Sequence, residues 1–280
     1  MFEKLSNSWA LVKASWRVLM ADKELMIFPI VSFFASIIVI ATFAVPTILA
    51  GVLDGMFTGD SQILSYIVLF LFYVVLYTAT IFSNSALVGA ALIRLKGGDP
   101  TVGDGFRIAL GHIRQIFGYA VISATVGLVL RMISERSGAL GQFVVSLVGF
   151  VWGIATFLVV PILVVEDVGP MEAVKRSAQL LKETWGEQIA GNFSIGLIFG
   201  VLTFIAFLIG LPLIIVAAST SNTALIITAV VVMVIVFMAL ALISSTLSGI
   251  YTAAIYRYAT TGDVGTYFEA DLVKGAFKQK

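Results

Sequence analysis

His112 is the one histidine in 280 residues, and the chain has no cysteine. Thiol catalysis, thiolate metal sites and disulfides are excluded by composition. A metal centre would need several His or carboxylate ligands converging, and no such cluster is written here. His112 reads as a polar-face residue of a short helix. Glu166 and Asp167 form the most conspicuous carboxylate pair, but adjacent side chains point apart and both sit where an apolar run ends. Their expected role is an ion pair between corresponding segment ends, with Arg94 or Arg257 opposite Glu166. No phosphate-cradling glycine loop, nucleophile elbow or zinc-type helix motif is present, and Gly97-Gly98 reads as a turn. The sequence therefore predicts no enzyme and no cofactor.

Uncharged polar residues are the remaining chemistry. Thr78, Thr80, Ser83, Asn84 and Ser85 fall in one apolar segment, Asn192 and Ser194 in another, and Ser244, Ser245, Thr246 and Ser248 in a third. Each can bond its own helix or a neighbour, the favoured reading, or line a path for an uncharged or lipid-like solute. No ionisable residue occupies the centre of any apolar segment. This argues against proton relays and voltage sensing, which place such groups inside the membrane.

The elements that would position these residues follow from composition. Hydrophobic residues make up 60% and charged residues 12%, against about 25% charged in soluble domains. The mean hydropathy is +1.06. Between Glu187 and Arg257 there is no Asp, Glu, Lys, Arg or His. This predicts a polytopic, all-α membrane protein forming one integral membrane domain over residues 1–280. A net charge of +1 offers no basic surface for nucleic acid. Residues 1–24 are charged and helical in pattern, unlike a cleavable signal peptide.

Six spans are predicted, at about 25–50, 63–93, 116–130, 140–165, 189–216 and 224–256. Amphipathic helices precede the odd ones. Over residues 4–22, Leu5, Trp9, Val12, Trp16 and Leu19 share one face, opposite Lys4, Lys13 and Arg17. Thr101 and Asp104 resemble a capping box ahead of a second helix with Phe106, Ala109, Leu110, Ile113 and Phe117 on its apolar face. Pro170 suits the first position of a third helix, running to Gly186, in which Met171, Val174, Ala178, Leu181 and Trp185 oppose Lys175, Arg176 and Lys182. Such helices are expected to lie in the membrane interface. A fourth short helix is predicted over 266–278, with Thr266 and Glu269 as its capping box.

Of 17 Lys and Arg, only Arg131 and Arg136 fall in the loops after spans one, three and five. The positive-inside rule then places both termini in the cytoplasm. The chain reads as three approximate repeats, 1–95, 96–166 and 167–262, on the echo of Ser85–Arg94 in Ser248–Arg257 and of Gly-Asp-Pro, Val-Gly-Pro and Gly-Asp-Val at the unit ends. Gly149, Gly153, Gly196 and Gly200, at four-residue spacing, are expected to let helices touch. So are Ala86, Gly89 and Ala90 with Ser245, Gly249 and Ala253.

At 161–186 and in Ser8-Trp-Ala-Leu-Val-Lys-Ala-Ser-Trp-Arg near the start, the chain resembles a prokaryotic six-span membrane protein family of unknown function. More distantly it resembles the membrane domain found ahead of some glycerophosphodiester phosphodiesterases, whose catalytic barrel has no counterpart here. What the resemblance and the pattern imply together is a non-enzymatic protein of the cytoplasmic membrane. Its interfacial helices, through Trp9, Trp16 and Trp185 with Lys13, Arg17, Lys175, Arg176 and Lys182, would organise lipid or hold a protein partner. The alternative is a permease or channel for an uncharged or lipid-like solute.

Overall fold

The computed structural model describes residues 2–49, 62–185, 194–220, 222–269 and 272–273, with the side chains of 2–8, 47–49, 62, 65, 185, 194 and 197 outside that description. The regular structure of the described residues is all helical, with no strand. Helix α1 spans Phe2–Ala21. A 3-10 turn, Lys23–Met26, leads into α2, Ile27–Leu49. Helix α3 is Gln62–Leu95. Helix α4 is the short Val102–Gly111, and α5 is Ile113–Arg136. The fourth span is divided into α6, Ala139–Ala155, and α7, Val159–Val165. Helix α8 is Pro170–Trp185, α9 is Ser194–Ser219 and α10 is Thr223–Thr261. Six helical segments are long and apolar enough to cross a membrane.

Local chemistry accounts for the boundaries. Thr101 accepts from the Asp104 amide while the Asp104 carboxylate accepts from the Thr101 amide, so both orphan donors of α4 are satisfied. The Asn222 carboxamide oxygen caps α10 by accepting from Ala224 and Leu225. Gly262, at φ +73°, ends that helix in the left-handed conformation. At the tail, Thr266–Phe268 is a bend rather than a first helical turn. The Leu272 and Val273 amides donate to the Glu269 carbonyl, so no helix begins at Thr266, and residues 274–278 of the expected helix lie outside the described residues.

Burial is concentrated at one end of the spans, with Val74 of α3 buried further along. Ser85 to Leu92 of α3 are buried without interruption, as are Leu247, Gly249–Tyr251 and Ala253–Tyr256 of α10 and Pro161–Val164 of α7. These residues pack with Leu11 and Val18 of α1, Ala109 of α4 and Leu180 and Leu181 of α8 into one core. Towards the other end burial stops. Helix α6 has no buried residue, nor has α9 beyond Phe199 or α10 before Thr246. Apolar side chains there are stable facing hydrocarbon, which exerts no hydrophobic pressure to bury them. The small side chains of Ala86, Ala90, Gly249 and Ala253 sit inside this core, as their spacing predicts.

The fourth span is interrupted where the sequence predicts continuity. Thr156–Leu158 leaves the α-helical path, and the buried Leu158 amide donates to Ser177 Oγ of α8 at 3.0 Å. A free amide at membrane depth is destabilising unless a neighbour accepts from it. Ser177, itself buried, supplies that acceptor.

Candidate functional site

The polar groups at the buried end form a layer that ties several of the spans to the short helices. Arg94, at the end of α3, donates from Nε and Nη2 to Asp22 Oδ2 at 3.4 Å and pairs with Asp99. Asp22 is only 6% exposed. Burial pushes its carboxyl above the usual range, and the Arg94 charge opposes that shift. Glu24 accepts from the Val102 amide at 3.2 Å, fastening the start of α4 to the entry of α2. Arg257 pairs with Asp263, whose carboxyl is held below its ordinary value by that bond.

The ion pairing expected of Arg94, Glu166 and Arg257 with one another does not form. The turns explain why. Positive-φ Gly97 and Gly262 fold the chain back just past the helix ends, so each arginine meets the aspartate that follows it. Glu166 instead accepts from Arg176 Nε at 3.2 Å and from the Tyr256 hydroxyl at 3.1 Å, joining α7, α8 and α10. Asp167 points elsewhere and accepts from Gln115. His112 Nδ1 lies 2.8 Å from the Ile108 carbonyl oxygen, a local bond that closes α4. Among the described residues no three His, Cys, Asp or Glu side chains converge.

The faces of α1 and α8 differ from the apolar stripes read in the sequence. Leu11, Ala14, Ser15, Val18 and Leu19 of α1 are buried, whereas Trp9 and Trp16 are 57% and 40% exposed. Lys13, Arg17 and Met20 are exposed beside them, so indoles and cations share one outward stripe rather than opposing each other. On α8, Ala173, Ser177, Leu180 and Leu181 are buried, while Met171, Lys175, Ala178 and Lys182 face outward. The buried faces mix leucines with the small residues Ala14, Ser15, Ala173 and Ser177, which allow close helix approach. The Trp185 side chain lies outside the described residues.

Three of the four glycines expected to bring helices together do not. A side chain at Gly153, Gly196 or Gly200 would meet nothing within 4 Å, and one at Gly149 would only graze Leu130 at 3.9 Å. They sit on stretches whose surfaces face outward. Close approach occurs at Gly89 against Ile108, Gly105 against Phe28 and Ala86, and Gly249 against Leu87.

Where the core opens, α3, α10 and the broken fourth span enclose a half-open cavity of about 160 Å³. Asn84, Ser245, Ser248 and Thr252 provide its polar lining, with Phe157 from the break itself and Val160 from just after it. Thr78, Thr80, Ser83 and Thr246 bond back to their own helices, as their favoured reading expects. Among the described residues the side chains of Asn84, Ser245 and Ser248 find no such partner, and it is these that line the cavity. The interruption at 156–158 carries no sequence signal as clear as a proline or glycine pair.

The six apolar helices define the class, a multi-pass helical membrane protein. The chain belongs to the family of unknown function DUF6159, whose model matches residues 63–267. That match bears on the first of the two resemblances read from the sequence and not on the phosphodiesterase membrane domain. Neither the curated proteins nor the solved structures yield a match.

Proposed function

We propose that this is a non-enzymatic protein of a prokaryotic cytoplasmic membrane, with both termini cytoplasmic, in which α1, α4 and α8 form an interfacial layer that organises anionic lipid or holds a protein partner. One observation carries the reading. The outward stripe of α1 combines exposed Trp9, Trp16 and Met20 with exposed Lys13 and Arg17. Indoles favour the headgroup boundary, and basic side chains beside them reach anionic headgroups. Lys175 and Lys182 add charge from α8, whereas Arg176 is engaged by Glu166. The same reading takes the chain as three approximate units, supported by the matching closures Arg94–Asp99 and Arg257–Asp263.

The test replaces Lys13, Arg17, Lys175 and Lys182 with Gln and spares Arg176, whose loss would also disturb Glu166. Melting temperatures are compared in zwitterionic and anionic nanodiscs. With about 1 kcal/mol per well-placed basic residue, the parent should gain several degrees from anionic lipid and the variant should lose most of that gain. An equal gain in both would remove the lipid reading and leave this face to a protein partner. For orientation, Asp54→Cys in the cysteine-free chain should react with an impermeant maleimide from the extracytoplasmic side. Labelling from the cytoplasmic side alone would invert the topology.

A further inference from the structure

Asn84 lies ten residues before Arg94 on α3, about 15 Å along the helix, which is roughly half the hydrocarbon thickness. Its side chain is exposed to the cavity rather than to a neighbouring helix, with Ser245 and Ser248 opposite. An unpaired carboxamide at this depth is unfavourable unless water or a ligand completes its hydrogen bonds. Just behind the cavity wall, Ser85 Oγ and the Tyr251 hydroxyl are buried without partners. The third wall is the interrupted span, to which Phe157 in the turn and Val160 just after it contribute. Non-helical backbone at membrane depth is tolerated where it is buried in protein or lines a cavity, and broken spans recur at substrate sites in transporters.

From this geometry we propose that the cavity is a binding site for an uncharged polyol group, such as a glycerol moiety presented by a neutral lipid or by a free solute. No charged side chain lines it, so an ionic group would be buried without a counter-charge. Asn84 both donates and accepts, as do the Ser245 and Ser248 hydroxyls, and vicinal hydroxyls complement that set. The volume holds a few waters or a group of similar size, and the half-open side admits an attached chain. This site is independent of the outward stripe of α1, and either can fail without the other.

The test measures melting temperature in phosphatidylcholine nanodiscs, with and without dioleoylglycerol, and separately with glycerol in the buffer. The parent, Asn84→Leu and Ser248→Val are compared. Dioleoylglycerol should raise the parent Tm by about 2–4 °C and leave both variants unmoved. A rise specific to the parent with glycerol alone would keep the site and make its ligand a free solute. Val160→Cys, at a lining position that makes no polar contact with the ligand, supplies a readout that does not depend on stability, since the chain has no other cysteine. Its reaction with N-ethylmaleimide should slow about threefold once two-thirds of the sites are filled. Equal Tm responses in parent and variants, together with unprotected Val160→Cys, would overturn the proposal.

Discussion

Gly105→Leu should leave little folded protein in detergent, while Gly153→Leu and Gly200→Leu should melt within a degree or two of the parent. A Cβ on Gly105 would stand 2.4 Å from Phe28 Cζ and 2.8 Å from the Ala86 carbonyl oxygen. Phe28 cannot swing clear, because it is fully buried and its ring meets Phe106 edge-on at 5.2 Å. Ala86 is backbone within the buried run of α3, so α4 itself would have to move. Overpacking a well-packed core costs about 1–3 kcal/mol where side chains can adjust, and a clash with backbone exceeds what rotamers relieve. Gly105→Ala should already lower Tm, by less than the leucine. Gly153 and Gly200 are exposed with open space around the added carbon, and substitutions of that kind stay within about 0.5 kcal/mol. Equal losses from Gly105→Leu and Gly153→Leu would show that the outward faces are packed after all.

The contrast between these glycines shows what was legible in the sequence and what was not. Spans, turns and the α4 cap were readable because each depends on local chemistry, an apolar run or a Thr-x-x-Asp spacing, that no distant contact overrides. Which side of a span touches protein was not readable, because leucine and glycine are equally at home against lipid and against another helix. A four-residue glycine spacing therefore marked faces of α6 and α9 on which no side chain packs against Gly153, Gly196 or Gly200. The contacts formed at Gly105 and Gly249 instead. The same ambiguity rotated α1. Lys13 and Arg17 read as lying opposite the lipid-facing indoles, but burial of Leu11, Ala14, Ser15 and Val18 leaves Trp9, Trp16 and both cations on one outward face. Partner choice in the polar layer was hidden for another reason. Arg94 and Arg257 could reach several carboxylates, and the selection is made by the backbone at Gly97 and Gly262. The cavity residues Asn84, Ser245 and Ser248 were visible as polar residues in apolar runs. What set them apart from Thr78 and Thr80 was the break at 156–158, a tertiary feature held by Ser177.

Arg94→Ala should be among the most destabilising single changes outside the apolar core, and its effect should depend on pH. Arg94 is the only cation bonded to Asp22 among the described residues, and the Asp22 side chain is almost wholly buried. Removing one member of a buried pair leaves the other charge uncompensated, which costs roughly 3–5 kcal/mol when burial is complete. The lower end applies here, because Asp22 can take up a proton. Its folded-state carboxyl already lies above the ordinary value of 3.8, with burial as the main cause. Without Arg94 the opposing influence is gone and the shift grows in the same direction. A carboxyl raised on folding binds more protons folded than unfolded, so stability falls as pH rises from the unfolded value through the folded one. The deficit of Arg94→Ala should therefore be smallest near pH 4 and grow towards neutrality. Asp22→Asn in the same background should flatten that dependence and recover much of the loss at pH 7, since an amide tolerates this site without a counter-charge. Thermal unfolding of parent, both single variants and the double variant across that range makes the comparison. A deficit independent of pH and untouched by Asp22→Asn would mean that Arg94 stabilises the fold through Asp99 and the packing of its own side chain, with Asp22 neutral throughout.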